Sequence, residues 1–222
     1  MAGEGPSRSR ERAQRRLSVD RFPSDPVTPY ADLRPQIRSG DLLFCSGNYW
    51  FSKLLRKATE SCWSHVSFVM PIDEIDRVMV LESVERFGVR TVPLSKYLSD
   101  YDNEGHPYQG GIVLARHRYF TGQANPEVMR QLGRAAVDRF GYAYSSDQIA
   151  RIAARITAAR LGGDQDEWSE LERRGDYICS EYVSDCYRCV GIQIKPNRRG
   201  FVSPADFARD PAVDLLAVLR RP

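Results

Sequence analysis

Residues 65–83 have the sequence HVSFVMPIDEIDRVMVLES, in which two strand-like runs flank an acidic turn. The runs are rich in Val, Leu, Phe and Met, and the turn supplies the Asp and Glu residues that strands disfavour. This pattern predicts an antiparallel hairpin. A turn centred between Asp73 and Glu74 would place His65 opposite Glu82, and directly opposed residues share one face of a sheet. A slip of one residue in this register would separate the two side chains.

The rest of the chain has the pattern of an α+β protein. Further strands are predicted at residues 41–45, 88–93, 111–117 and 213–219. Helical spacing of apolar residues predicts helices at 49–58, 126–141, 145–163 and 179–191, and Ser203 with Pro204 begins a short one. We therefore predict one domain over residues 29–222, in which a mostly antiparallel sheet packs against helices.

Positive charge is concentrated at the N-terminus. The chain has 222 residues and a net charge of +3. Residues 1–21 carry six Arg and three acidic residues, which accounts for the whole of that charge. The neutral remainder lacks the basic face of a nucleic-acid-binding domain, so no nucleic-acid partner is expected. Residues 1–28 are rich in Arg, Ser, Gly and Pro without apolar periodicity, which predicts a disordered basic tail.

The cellular compartment is predicted from apolar runs and cysteine usage. The N-terminal region has no apolar stretch of the kind found in a secretory signal peptide. No window approaches the ~20 consecutive apolar residues of a membrane-spanning helix. The five cysteines are an odd number in a chain long enough to fold without disulfides, which favours reduced thiols. We therefore expect a soluble cytoplasmic protein.

One cysteine lies where a helix begins. The segment YICSE places Cys179 at the start of a predicted helix, where the dipole and the unsatisfied backbone N–H groups stabilise a thiolate. The same N–H groups can donate to the oxyanion of a tetrahedral intermediate. Cys45 falls within a strand, and Cys186 and Cys189 lie further along the helix. Taken alone, Cys179 fits a small buried hydrophobe equally well, and a single His65 at a strand end is more often structural than catalytic.

Four short motifs follow one another in a defined order: SGDLLF (39–44), WSHVSFV (63–69), VLES (80–83) and CSEYV (179–183). In this order they resemble the YiiX-like, circularly permuted branch of the NlpC-type papain-like superfamily, over roughly residues 35–208. The resemblance implies a catalytic triad in which Cys179 is the nucleophile, His65 the base and Glu82 the group that orients His65. It also implies a structural role near the site for Gly40 and Asp41.

The resemblance implies an enzyme, and we expect it to need no cofactor or metal. It would be a cysteine hydrolase that cleaves an amide (peptide, isopeptide or N-acyl), a thioester or an ester through an acyl-cysteine intermediate. Its substrate would be a peptide, an amide or an acyl lipid. The sequence departs from the pattern at Ser67, where a small Gly is common, and in a helical insertion over residues 125–163. Both departures bear on substrate choice more than on the triad.

Three alternatives stay open at this stage. An acyltransferase of the lecithin:retinol acyltransferase type would use the same fold and pass the acyl group to an acceptor other than water. A structural zinc site would use Cys62 with His65 and Cys186 with Cys189, two pairs with ligand spacing. A binding module would keep the cleft without turnover. Zinc analysis of the protein and of a Cys186→Ser, Cys189→Ser variant separates the second alternative from the enzyme.

Overall fold

A six-stranded antiparallel sheet forms the centre of the computed structural model, which describes residues 15–122, 125–145, 177–197 and 200–222. The strand order is β4-β3-β2-β1-β5-β6. The strands are β1 (Asp41–Gly47), β2 (His65–Ile72), β3 (Arg77–Val84), β4 (Gly88–Pro93), β5 (Gly110–His117) and β6 (Val213–Arg220). The first four strands form a meander, while β5 returns to the free side of β1. The predicted α+β class and antiparallel sheet are confirmed.

Seven α-helices occur in the described part of the chain: α1 (Tyr30–Leu33), α2 (Trp50–Thr59), α3 (Leu94–Ser99), α4 (Tyr119–Gly122), α5 (Pro126–Val137), α6 (Cys179–Arg188) and α7 (Pro204–Arg209). Asn125 caps α5 by accepting from two backbone N–H groups, and Ser203 with Asp206 forms a capping box on α7. None of the described helices has the length and apolar character needed to cross a bilayer. The predicted helix over 145–163 lies outside the described residues, apart from Ser145.

Each face of the sheet is covered by its own core. On one face, α5, α6 and α7 pack against β1 and β2, and the rings of Phe68 and Tyr182 stack with centroids 6.0 Å apart. On the other face, α1 and α3 contribute Leu33, Leu94 and Tyr97 to a second cluster. The alternation of apolar residues along the strands fills both cores, because successive side chains point to opposite faces.

The register of the hairpin differs from the prediction. Pro71 pairs with Val78 rather than with Asp76, so the partner of each β2 residue is displaced by two positions. The cause is the turn, where a 3₁₀ helix at Asp73–Ile75 is closed by Asp76 in the left-handed conformation, with φ +54°. The predicted pairing of His65 with Glu82 is therefore wrong. A displacement of two residues nevertheless keeps both side chains on the same face, as diagonal neighbours.

The segment 15–28, predicted to belong to a disordered tail, packs against the domain. The side chain of Leu17 is buried in the first core, and the indole N–H of Trp63 donates to the carbonyl of Ser18 at 2.7 Å. The N–H of Thr28 donates to the carbonyl of Val218 at 2.8 Å. The tail boundary at residue 28 is therefore wrong, because backbone hydrogen bonds that composition does not reveal hold this segment. Residues 1–14 lie outside the described residues.

Candidate active site

Three separate elements bring Cys179, His65 and Glu82 together. His65 is the first residue of β2, Glu82 lies near the end of β3, and Cys179 is the first residue of α6. The imidazole Nε2 lies 3.1 Å from a carboxylate oxygen of Glu82, and the Cys179 side chain lines the same cavity as the ring and lies close enough to act on its charge. The imidazole thus lies beside both predicted partners, the geometry in which a ring can exchange a proton with a thiol while a carboxylate fixes its orientation.

The position of Cys179 is fixed by the anchoring of α6. The hydroxyl of Ser180 donates to the carbonyl of Val202 at 2.7 Å, and the hydroxyl of Tyr187 donates to the carbonyl of Gly40 at 2.6 Å. Just before the helix, the hydroxyl of Ser83 donates to the carbonyl of Tyr177 at 2.7 Å. These hydrogen bonds hold both ends of α6, so the thiol stays beside the imidazole with the N-terminal N–H groups of the helix around it.

Glu82 is fully buried, and both of its carboxylate oxygens have partners. Arg90, directly opposite on β4, donates to Oε1 at 2.9 Å, while Oε2 accepts from the hydroxyl of Tyr97 and contacts His65. Burial alone would raise the pKa of Glu82, but the hydrogen bond and charge of His65, together with Arg90 and Tyr97, lower it instead. Arg90 also donates to Asp102 at 2.6 Å, which fixes the guanidinium in place.

The same contacts set the charge of the imidazole. Burial alone would lower the pKa of His65, but hydrogen bonding and charge at Cys179, followed by those at Glu82, outweigh it and raise the pKa to about 10. The ring is therefore protonated at neutral pH. A protonated imidazole between a sulfur and a carboxylate is already positioned to give its proton to a leaving group.

Two cavities meet at Cys179. One, of about 140 Å³, also contains His65 and is lined by tyrosine and serine side chains. The other is a small apolar cleft of about 20 Å³, lined by Leu55, Ile178 and Phe201 among others. Tyr144 lies between the cavities and lines both. Cys179, a residue only 3% exposed, is thus reached from the tyrosine-lined side, where there is room for a substrate group.

Sequence reasoning missed Arg90 and Tyr97. Arg90 had a signal, because β3 and β4 are joined by a tight turn that brings Glu82 opposite an arginine, and opposite charges pair across antiparallel strands. Tyr97 had none, since it lies on a helix that was not predicted. Gly40 and Asp41 were predicted to have a structural role near the site, and this predicted location is wrong.

Asp41 pairs with Val69, four residues from His65 along β2, which corresponds to about 13 Å. Its carboxylate accepts two hydrogen bonds from Arg116. Gly40, with φ +86°, lies against the ring of Phe120 and supplies the carbonyl that anchors the end of α6. Both residues therefore stabilise the end of the sheet that lies away from His65.

The alternative zinc site is not assembled. Across the four described ranges, no group of three or more His, Cys, Asp or Glu side chains is placed to hold a metal ion. Cys186 lies on the buried side of α6, whereas Cys189 is exposed and follows the last residue of that helix. These two cysteines, three residues apart, are therefore not brought together with Cys62 and His65 as a ligand set in the described part of the chain.

The architecture resembles that of a protein of known structure. The chain is similar to the metalloprotein YiiX from Escherichia coli O157:H7, with 20% sequence identity and a TM-score of 0.57. The match covers 84% of this chain and 99% of the YiiX chain. No protein-family model matches the sequence, and no curated protein sequence matches it. The α+β architecture built around Cys179, His65 and Glu82 is therefore a YiiX-like fold.

Proposed function

We propose that this protein is a cysteine hydrolase with a Cys179, His65 and Glu82 triad on a permuted papain-like fold of the NlpC type. The observation that carries the proposal is the imidazole of His65, which lies beside the thiol of Cys179 and contacts the carboxylate of Glu82. The order of the elements supports the permutation, since the strands with His65 and Glu82 precede the helix that begins with Cys179.

The proposed reaction has two stages. The Cys179 sulfur attacks the carbonyl carbon of an amide, thioester or ester, while the first N–H groups of α6 donate to the oxyanion. The bond from carbon to the leaving group then breaks, and the proton on His65 passes to that group. In the second stage His65 takes a proton from water, the resulting hydroxide equivalent attacks the acyl-cysteine, and the acid is released as the thiolate and imidazolium reform.

A metal does not fit this group of residues. YiiX is described as a metalloprotein, but the triad residues of this chain are already engaged with one another and with their neighbours. Both oxygens of Glu82 are engaged by Arg90, Tyr97 and His65, and a cation there would have to displace a guanidinium. No step of the proposed reaction is therefore assigned to a metal.

The proposed substrate class follows from the same site. An acyl group on sulfur can come from a peptide, an isopeptide, an N-acyl amide, an acyl lipid or a thioester.

All five cysteines are free thiols. This supports a reducing, cytoplasmic environment for the reaction, because thiols stay reduced there.

The test is selective alkylation of Cys179. Iodoacetamide at pH 6 should modify Cys179 faster than the exposed Cys189, since an ordinary thiol is largely protonated at that pH. Peptide mass spectrometry gives the rate at each cysteine. The His65→Ala variant should slow alkylation of Cys179 and leave that of Cys189 unchanged. Incubation with a cell extract should give an acyl adduct on Cys179 that is absent from Cys179→Ala. Equal rates at the two cysteines, with no adduct, would contradict the proposal.

A further inference from the structure

The cavity beside Cys179 has aromatic walls. Four tyrosines line it, and three of them pack at steep angles: the ring centroids of Tyr101 and Tyr108 are 5.0 Å apart at 87°, and those of Tyr49 and Tyr108 are 5.6 Å apart at 61°. Tyr144 is the fourth, on the side of α6. Aromatic faces attract a positive charge, and an edge-to-face pair leaves the faces of its edge-on ring uncovered by the partner ring.

The charged residues around the cavity also favour a positively charged ligand. Glu85 lines it, and Asp102 and Glu104 act electrostatically on Tyr49 from close by. Of the described residues that line the cavity, none is a lysine or an arginine. The lining imidazole of His65 is already paired with the carboxylate of Glu82, at 3.1 Å.

The neighbouring arginine offsets Asp102 but leaves Glu85, the carboxylate that lines the cavity, without a guanidinium partner among the described residues. Arg90 is the nearest guanidinium to Tyr101, and it pairs with two carboxylates, Glu82 and Asp102. Tyrosine faces, one lining carboxylate and the absence of a lining lysine or arginine together describe a site that favours cations over anions or neutral groups.

We propose that this cavity binds an ammonium group of the substrate, primary or quaternary, within a few bonds of the scissile carbonyl. The inference rests on the proposed function, because Cys179 lines the cavity and must attack that carbonyl. It narrows the substrate class to acyl compounds whose acyl or leaving part carries a fixed or protonated amine. An acyl group with an anionic substituent at this position is disfavoured by Glu85.

The test compares two chloroacetamides of the same shape, one ending in a trimethylammonium group and the other in a tert-butyl group. In each case the Cys179 sulfur forms a bond to carbon and chloride leaves. Rates of Cys179 alkylation are divided by those of N-acetylcysteine amide, which removes any intrinsic difference in reagent reactivity. The cationic reagent should alkylate Cys179 at least ~10-fold faster than the neutral one.

Two variants assign that preference to the cavity. Glu85→Gln and Tyr101→Leu should each reduce the ratio of the two rates at least ~3-fold, by removing a charge or an aromatic face. Glu74→Gln is the matched control, because it removes an exposed acid at the far end of the β2–β3 hairpin and should leave the ratio unchanged. Thermal unfolding of each variant verifies that it is folded.

The outcomes separate the two proposals. Equal corrected rates for the two reagents would overturn the ammonium site and leave the cysteine hydrolase standing. A preference for the cationic reagent that Glu85→Gln and Tyr101→Leu do not reduce would also overturn the site, because residues outside this cavity would then recognise the ammonium group. Failure of both reagents to modify Cys179 faster than Cys189 would overturn the proposed function and the ammonium site with it.

Discussion

The two ends of the central strands each bury a carboxylate beside an arginine, and they use the pair differently. At one end Arg116 donates to both oxygens of Asp41, at 2.6 and 2.7 Å, and the N–H of Arg38 completes the set. At the other end Arg90 donates to one oxygen of Glu82. The second oxygen of Glu82 is left for an imidazole and a phenol.

The difference in hydrogen bonding separates an acid that is fully paired from one that also holds an imidazole. Burial dominates at Asp41 and raises the pKa of its carboxyl despite Arg116. At Glu82, the charge of His65 and Arg90 outweighs burial and lowers the pKa. A bidentate pair satisfies the acid completely, whereas a one-oxygen pair leaves a charged acceptor that can orient an imidazole ring.

The largest effect should come from breaking the bidentate pair. Asp41→Asn leaves the largely buried Arg116 without its counter-charge, and should lower the free energy of unfolding by about 3 kcal/mol. Urea unfolding measures this. In an Asp41→Asn, Arg116→Met variant the loss should be smaller than the sum of the two single losses. Alkylation of Cys179 should change less than about twofold, and a larger change would mean that this end is not purely structural.

At the other end, Glu82→Gln should act on reactivity. The amide keeps the shape of the side chain but no longer stabilises a protonated His65, so alkylation of Cys179 at pH 6 should slow by about 10²-fold. Hydrolytic activity should fall less in Glu82→Gln than in Cys179→Ala, which removes the proposed nucleophile, because orienting groups generally contribute less than nucleophiles. The alkylation rate is measured by mass spectrometry on samples verified as folded. An unchanged rate would show that the carboxylate does not act through His65.

The charge on His65 predicts how stability depends on pH. Its pKa is raised from the ordinary 6.5 to about 10, so its stabilising contribution is fully present below pH 6.5 and is lost as pH rises through about 10. The stability difference between wild type and His65→Gln should therefore shrink from pH 6 to pH 10 by at least about 1.4 kcal/mol, the free energy of one pKa unit.

His117, at the Asp41 end, is the matched control for that measurement. Burial lowers its pKa, so its effect on stability changes only as pH falls below 6.5. The stability difference between wild type and His117→Gln should be constant between pH 7 and pH 10. Constant differences for both variants would contradict the raised pKa of His65.

The smallest effect should come from Tyr97→Phe. Tyr97 is fully buried, so Phe fits the same space and removes only the hydroxyl that donates to Glu82. The free energy of unfolding should fall by about 1 kcal/mol. Cys179 alkylation should slow only a few-fold, because Arg90 and His65 still hold the carboxylate. A loss as large as that of Glu82→Gln would assign the orientation of Glu82 to the phenol instead of to Arg90.

The elements of the fold were predictable because their signals are local. The alternation of apolar residues in HVSFVMP and RVMVLES defines two strands without reference to anything distant, and the six strands lie where the sequence indicated. The same holds for the start of α6 at Cys179. The 3₁₀ turn at Asp73–Ile75 was not predictable, because no residue there demands it, and it displaced the hairpin register by two positions.

The sequence by itself determined which residues are available to the site: a thiol at a helix start, and an imidazole and a carboxylate on neighbouring strands. Only the tertiary structure decided their distances, the one-oxygen contact from Arg90, the phenol of Tyr97 and the tyrosine corner beside Cys179. The physical reason is range. Strand and helix patterns depend on residues a few positions apart, whereas hydrogen bonding within a buried site depends on how distant segments pack and exclude water.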